Sequence, residues 1–337
     1  MVAPPLVTTY SFWNSYRNCP RACAWRYLDE LVPIERSVNL RFGSLIHRCL
    51  ETWHQRHDLV ETLETIEQAC AGRRHEQEVN AAWHLATAMM LGYAMRYPED
   101  PFTVIALEKT FAGPLYNPDT GKPSRSFTLA GKVDGLVEQD GEVFLLEHKT
   151  ASTIDSEYLE KLWMDFQLLL YAYALEKHGG LRVAGVIYNI LVKAKLRQGQ
   201  GESEEEFRVR AAELATKNKS GKTTATRKYP EADADFQGRL RAKYAESDMF
   251  HREVLYFSRD QLAEVERELW QLAQQFLFAR RRGWLVRNTG YCFHYGRPCA
   301  YYPLCRANGT EHVIANLYER RPPHEELDTT PDDAPVF

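Results

Sequence analysis

The chain has 337 residues, enough for one large domain or two small ones, and a net charge of −4. Its 44% apolar and 26% charged content is that of a soluble globular protein. The slight acidity excludes a nucleic-acid claim from overall charge, so any such affinity must come from local patches. No apolar run approaches a membrane span, and Met1-Val-Ala-Pro-Pro5 lacks a basic region followed by an apolar core. The expectation is a cytosolic protein. Seven cysteines, an odd number without a leader, argue against a disulfide framework.

In chain order, the first third reads helical. Aromatics at helical spacing (Phe12, Tyr16, Trp25) predict a helical run over Ser11–Leu31, and Leu45, Ile46, Cys49 and Leu50 continue the pattern over Phe42–His54. A third helix is predicted over Glu76–Tyr97, stopping at Pro98. Strands follow at Phe102–Phe111 and within Phe127–Lys149, with a loop from Gly113 to Pro123. Tyr158–Lys177 reads as a helix ended by Gly179-Gly180, and Leu181–Val192 as an apolar strand. Residues 193–250 are polar and basic, and read as a partly flexible insertion between core strands. A strand at Glu253–Phe257, a helix capped by Ser258 and running to Arg282, and a cysteine-bearing loop over Gly283–Arg306 complete the pattern. The expected organisation is one domain over residues 1–312, containing the 193–250 insertion, and an acidic, Pro-rich, disordered tail over 313–337.

The chemistry concentrates in residues 126–150. Asp140-Gly141 between apolar residues predicts a two-residue hairpin turn. Pairing 139 with 142 then sets Asp134 opposite Glu147, and alternation brings Lys149 to the same face. Like charges opposed across a ladder are destabilising. Two facing carboxylates with an ammonium beside them make sense when a divalent cation binds between them; the plain alternative is a solvated strand end. Hard cations take carboxylate oxygens, polarise a phosphate and acidify bound water, and a lysine can offset developing charge.

Asp134, twelve residues, then Glu147-His148-Lys149 resembles the core of the PD-(D/E)XK nuclease superfamily, most of all its RecB-like exonucleases. Val133 stands where the family usually has proline. Gly43-Ser-Leu-Ile-His47 is similar to the helical histidine motif of the RecB-like and CRISPR-associated branches. Asp165-Phe-Gln167-Leu-Leu-Leu-Tyr171 matches the family's Gln-x-x-x-Tyr motif. The resemblance covers most of residues 8–306. It implies an α/β fold with a central mixed sheet flanked by helices, metal ligation by His47, Asp134, Glu147 and the His148 backbone carbonyl, and catalysis assisted by Lys149. Gln167 and Tyr171, on one helix face, would touch DNA phosphate or support Lys149. Glu108 is a candidate supporting carboxylate.

Five cysteines fall in two terminal groups. Cys292-x6-Cys299-x5-Cys305 lies in a turn-rich aromatic segment, and Cys19, or Cys23 in its place, supplies a fourth thiolate. This resembles the iron–sulfur staple of AddB-type and CRISPR-associated exonucleases, although the family's commoner spacing is Cys-x2-Cys-x5-Cys. It implies a structural [4Fe–4S] cluster joining the N- and C-terminal regions, with zinc held by the same four thiolates as the competitor. Cys49 and Cys70 read as small buried side chains.

Lys217, Lys219, Lys222, Arg227 and Lys228 are candidate backbone contacts to DNA, and Arg280-Arg281-Arg282 could extend them. The whole reading is a Mg²⁺- or Mn²⁺-dependent deoxyribonuclease acting on DNA ends or single strands, in recombination, repair, CRISPR adaptation or phage DNA processing, with a recombination, helicase or adaptation protein as partner. The competing class is a DNA-binding or assembly subunit with a structural cluster and little cleavage.

Overall fold

A computed structural model describes residues 4–35, 38–218, 222–294 and 296–327. In chain order the elements are β1 (Leu6–Thr8), α1 (Tyr10–Asn18), α2 (Pro20–Tyr27), β2 (Leu31–Pro33), α3 (Val38–Arg56), α4 (Leu59–Cys70), α5 (Gln77–Arg96), β3 (Thr103–Tyr116), β4 (Pro123–Gln139) and β5 (Glu142–Ala151). Then follow α6 (Ser156–Leu162), α7 (Phe166–Gly179), β6 (Gly185–Val192), α8 (Glu204–Lys217), α9 (Asp233–Tyr244), β7 (Phe250–Tyr256), α10 (Arg259–Arg282), β8 (Phe293–His294), β9 (Arg297–Pro298), α11 (Tyr302–Arg306), α12 (Glu311–Leu317) and β10 (Tyr318–Arg320). Among the described residues, no helix is long and apolar enough to cross a membrane.

The hairpin β4–β5 forms as the sequence predicts. Asp140 and Gly141 both take positive φ, 55° and 81°, as a type I′ turn requires. The register pairs Gln139 with Glu142 and continues to Gly135 with Leu146. There β5 leaves β4 and runs on parallel to β6, Phe144 to Ala151 pairing with Gly185 to Val192. The same side of β4 takes up β1, parallel to Phe127–Leu129, while β3 pairs with β4 antiparallel on its other side. The result is a mixed sheet in the order β1-β4-β5-β6-β7 with β3 also on β4, and the hairpin is central.

Strand alternation feeds a core on each face. Leu136, Leu145, Val186 and Tyr188 join α1, α7 and α10 in the larger cluster, around Phe12, Trp13 and Phe276. Phe144, Leu146 and Ile187 face the other way, and α3, α4, α5 and α9 build their own core against Leu191 and Val192. Helices therefore cover both faces, as expected. The capping box of Ser258 and Gln261 closes the start of α10 as predicted, an arrangement worth about 1 kcal/mol.

Several boundaries differ from the sequence reading. The helical run over Ser11–Leu31 is two helices, because Cys19 is extended (φ −159°) and Pro20 begins α2. Tyr158–Lys177 is likewise broken, and the Asp165 side chain caps a new helix by accepting from the Gln167 amide. Residues 193–250 are not simply an insertion: Phe236, Leu240 and Tyr244 of α9 are buried in the second core, whereas α8 buries no side chain. Nor does disorder begin at 313. Helix α12 follows, and β10 pairs antiparallel with β2, Tyr318 with Pro33 through Arg320 with Leu31. Of the remaining tail, residues 328–337 lie outside the described residues.

Candidate metal centre

Asp134 is one residue past the last paired position of the hairpin, where β4 and β5 diverge. Its Oδ2 accepts the backbone N–H of His148 at 2.8 Å, and its Oδ1 lies 3.3 Å from Nδ1 of His47 on α3. Glu147 is 4% exposed, and its Oε1 is 2.6 Å from Lys149 Nζ. Lys149 Nζ also donates to Gln167 Oε1 at 3.1 Å, and Gln167 Nε2 donates to the Tyr171 hydroxyl at 3.4 Å. Alternation along β5 continues the line of Leu145 through Glu147 and Lys149 toward α7, and turns His148 the opposite way.

The electrostatics are those of crowded, buried ionisable groups. Burial, then the charge of Asp134, raises the Glu147 carboxyl above its ordinary value. Asp134 is held low: burial opposes this, but the charge and hydrogen bond of His47 outweigh it. Burial would lower His47, yet Asp134 lifts its imidazole to about 9. Lys149 stays charged, since Glu147 and Asp165 overcome the cost of burying it. The ladder stops one pair short of setting Asp134 opposite Glu147, but the charge of Asp134 reaches Glu147, and two carboxylates with one imidazole are donor types that Mg²⁺ or Mn²⁺ accept.

The remaining candidates divide. Tyr171 is 8% exposed and ends a chain that runs inward from Lys149, so of its two suggested uses the geometry favours support of the lysine over contact with DNA. Glu108, at φ 48° beside the site, pairs with Lys132. Glu51, one turn after His47 on α3, feels the charges of Glu108, Lys132 and Asp134. Lys217, Lys222 and Lys228 are exposed, whereas the Arg227 guanidinium is turned inward and donates to the Glu202 carbonyl at 3.0 Å. Arg210 binds the Glu202 carboxylate, so this arm is not uniformly basic. Lys219 lies outside the described residues.

Cys19, at the break between α1 and α2, faces a strap from the C-terminal part. The Arg21 amide donates to the Val286 carbonyl at 3.1 Å, and the Asn288 amide points to Cys19 Sγ at 3.4 Å. The Cys299 amide donates to the Cys292 carbonyl, and the Tyr301 amide points to Cys299 Sγ at 3.3 Å. Cys299 lies within electrostatic reach of Cys19, Cys292 and Cys305, and all four thiols are partly exposed. Cys23 is different. It is fully buried against the Phe12 carbonyl, and burial pushes its thiol up to about 12.

Some neighbours escaped the sequence reading. Asp165 accepts from Tyr188 Oη at 3.1 Å and helps hold the Lys149 charge; its signal was the N-cap position before Gln167. Tyr10 and Tyr158 both sense Lys149, Glu147 and Asp165. A buried polar group of His54, Asp100 and Arg252 backs His148, and His54, His57 and Asp100 are close enough together to resemble a metal site.

The central hairpin thus gathers two carboxylates and a lysine where two strands part. Residues 8–306 match the PD-(D/E)XK nuclease superfamily, and the chain belongs to it. Nucleases of this superfamily use divalent metals such as Mg²⁺ or Mn²⁺. Among curated proteins, none matches the chain.

Proposed function

We propose that this protein is a deoxyribonuclease that trims DNA ends or single strands, and that Asp134, Glu147 and His47 hold its Mg²⁺ or Mn²⁺, together with the His148 carbonyl. The observation that carries the reading is Lys149, pinned between Glu147 Oε1 (2.6 Å) and Gln167 Oε1 (3.1 Å) beside the His47–Asp134 pair. When bound, the metal supplies an acidified water and polarises the scissile phosphate. The chain's own groups do the rest. Lys149 offsets the charge that gathers on phosphate, Gln167 and Glu147 fix its ammonium while Asp165 adds favourable charge, and Glu147 and Asp134 draw the cation into a half-buried seat. The exposed lysines 217, 222 and 228 are suited to follow a phosphate backbone.

Cys19, Cys292, Cys299 and Cys305 fit a [4Fe–4S] cluster in donor type, and the amides aimed at Cys19 and Cys299 sulfurs are of the kind that tune such clusters. Its role is to fasten the α1–α2 corner to the C-terminal strap. The preference for DNA ends, and for a partner from recombination, helicase or CRISPR-adaptation machinery, rests on likeness to the RecB-like branch. Incubating the purified protein with end-labelled single- and double-stranded DNA, with Mn²⁺ or with EDTA, tests it. Metal-dependent loss of the label is the expected result. Binding without cleavage under all metals would leave an assembly subunit instead.

A further inference from the structure

We infer that a buried hydrogen-bonded chain, Asp100–His54–Tyr93–Asn189–His148, is a positioning device that presents the Asp134 carboxylate to the metal. The inference rests on the nuclease reading above and adds Asp100, His54, Tyr93 and Asn189, which that reading does not use.

The direction of every bond in the chain is fixed by one group that can only donate. Arg252 on β7 gives Nε–H to Asn189 Oδ1 at 3.5 Å, and its terminal nitrogen reaches Tyr93 Oη at 2.9 Å and Asp100 Oδ1 at 2.5 Å. Asn189 therefore turns its amide nitrogen the other way. That nitrogen is 2.9 Å from Tyr93 Oη and 3.0 Å from His148 Nδ1, which uses both of its hydrogens. Tyr93 Oη now accepts twice, so its own proton goes to His54 Nε2, 3.2 Å away. His54 must then carry its hydrogen on Nδ1 and give it to Asp100 Oδ2 at 2.9 Å.

Two consequences follow. First, His54 Nδ1 has no lone pair for an ion, so the group His54, His57 and Asp100 works as a hydrogen-bonded anchor and not as a second metal centre. Second, His148 is an acceptor at Nδ1 and keeps its proton on Nε2. Its ring is clamped from three sides: by Asn189, by a parallel stack on His54 (5.3 Å, 5°) and by an edge contact with His47 (6.0 Å, 88°).

The clamp matters because of where residue 148 sits. Past Gly135–Leu146 the ladder no longer ties β4 to β5. The amide of His148 is then a direct tie between the strands, donating to Asp134 Oδ2 at 2.8 Å and leaving Oδ1 turned to His47. Holding the ring holds the peptide, and the peptide aims the carboxylate. Satisfied low-dielectric networks are rigid, and partners behind metal ligands commonly set metal affinity by 10–100-fold.

The test uses the full-length protein. Asn189→Leu removes both donors and the acceptor at nearly constant size, and Tyr93→Phe removes one hydroxyl. Mn²⁺ binding to the free protein, read by electron paramagnetic resonance, is expected to weaken roughly tenfold or more in Asn189→Leu, while DNA affinity without metal stays within about twofold. Unchanged Mn²⁺ affinity in a folded variant, even with a lowered melting temperature, would overturn the proposal. Should Asn189→Leu not fold, Tyr93→Phe and the ¹⁵N spectrum of the His148 ring in the unmutated protein decide. Hydrogen on Nε2 is expected; hydrogen on Nδ1 overturns it. A wild-type protein that binds Mn²⁺ and has the expected tautomer but never cuts DNA would sink the nuclease reading alone.

Discussion

His148 donates its backbone N–H to Asp134 Oδ2 at 2.8 Å just beyond the last regular pair of the hairpin, Gly135 with Leu146. The strands part at that point, and a side chain takes over the acceptor's place in the ladder. Charge is thereby concentrated where the sheet opens, which is why Asp134, Glu147 and Lys149 meet there.

Lys149→Ala should lower cleavage by about 10²–10³, the usual cost of losing one donor to developing charge. DNA affinity should change little. Single-turnover cleavage and filter binding measure the two, and near-normal cutting by the variant would displace Lys149 from the reaction.

Gln167→Leu leaves the ammonium tied to Glu147 but removes its 3.1 Å partner on α7. Cleavage should fall roughly tenfold at saturating metal, less than for Lys149→Ala, as for a group that orients another. A larger defect in DNA affinity than in rate would assign Gln167 to the substrate instead.

Because His47 offers nitrogen, a softer donor than carboxylate, cleavage should be faster with Mn²⁺ than with Mg²⁺. His47→Asp should narrow that ratio. Parallel rate measurements in the two metals settle it; an unchanged ratio in the variant would remove His47 from the ligand set.

Thiol labelling should sort the cysteines. After treatment with a chelator under native conditions, Cys19, Cys292, Cys299 and Cys305 should react, since they are partly exposed. Cys23, Cys49 and Cys70 are buried, and burial raises all three, Cys23 to about 12 and Cys70 to about 11, so they should label only on unfolding. Mass spectrometry of alkylated peptides gives the pattern, and rapid native labelling of Cys23 would contradict its assignment to the core.

Buried His84 predicts a pH effect on stability. Burial holds its imidazole below the ordinary value, and Gln237 contacts its Nδ1 at 2.8 Å. The unfolded chain takes up a proton near pH ~6.5 while the folded one resists. Stability from this group is complete above that pH and is lost as pH falls toward the folded value. His84→Asn should therefore lose less melting temperature between about pH 7 and 5 than the unmutated protein, whatever its starting point. Equal losses would exclude His84 as a source.

The hairpin and its register were legible because Asp140-Gly141 is a turn signal set between two apolar runs, Leu136-Val137 and Val143–Leu146. Pairing 139 with 142 then fixes the partners of the other hairpin residues. Helix α4 was missed although its signals were present: Asp58 caps it, and Leu59, Leu63, Ile66 and Cys70 recur at helical spacing. The three-residue strands β1, β2 and β10 are too short for any periodicity to appear. The break before α7 was hidden because apolar residues continue through Trp163 and Met164, both exposed. Least legible was the group behind His148. Tyr93, Asp100, Asn189 and Arg252 come from four separate segments, and only the folded chain joins them.

The pairing of β2 with β10 has a consequence for biosynthesis. His324 Nε2 lies 3.0 Å from the Val7 carbonyl, and its ring stacks on Tyr27 at 5.1 Å. An emerging polypeptide can pair β1 with β4, but it lacks the β10 partner of β2 and the His324 contact to Val7 until translation has passed residue 324. A product that ends earlier keeps β1 on the sheet and leaves β2 without its partner strand.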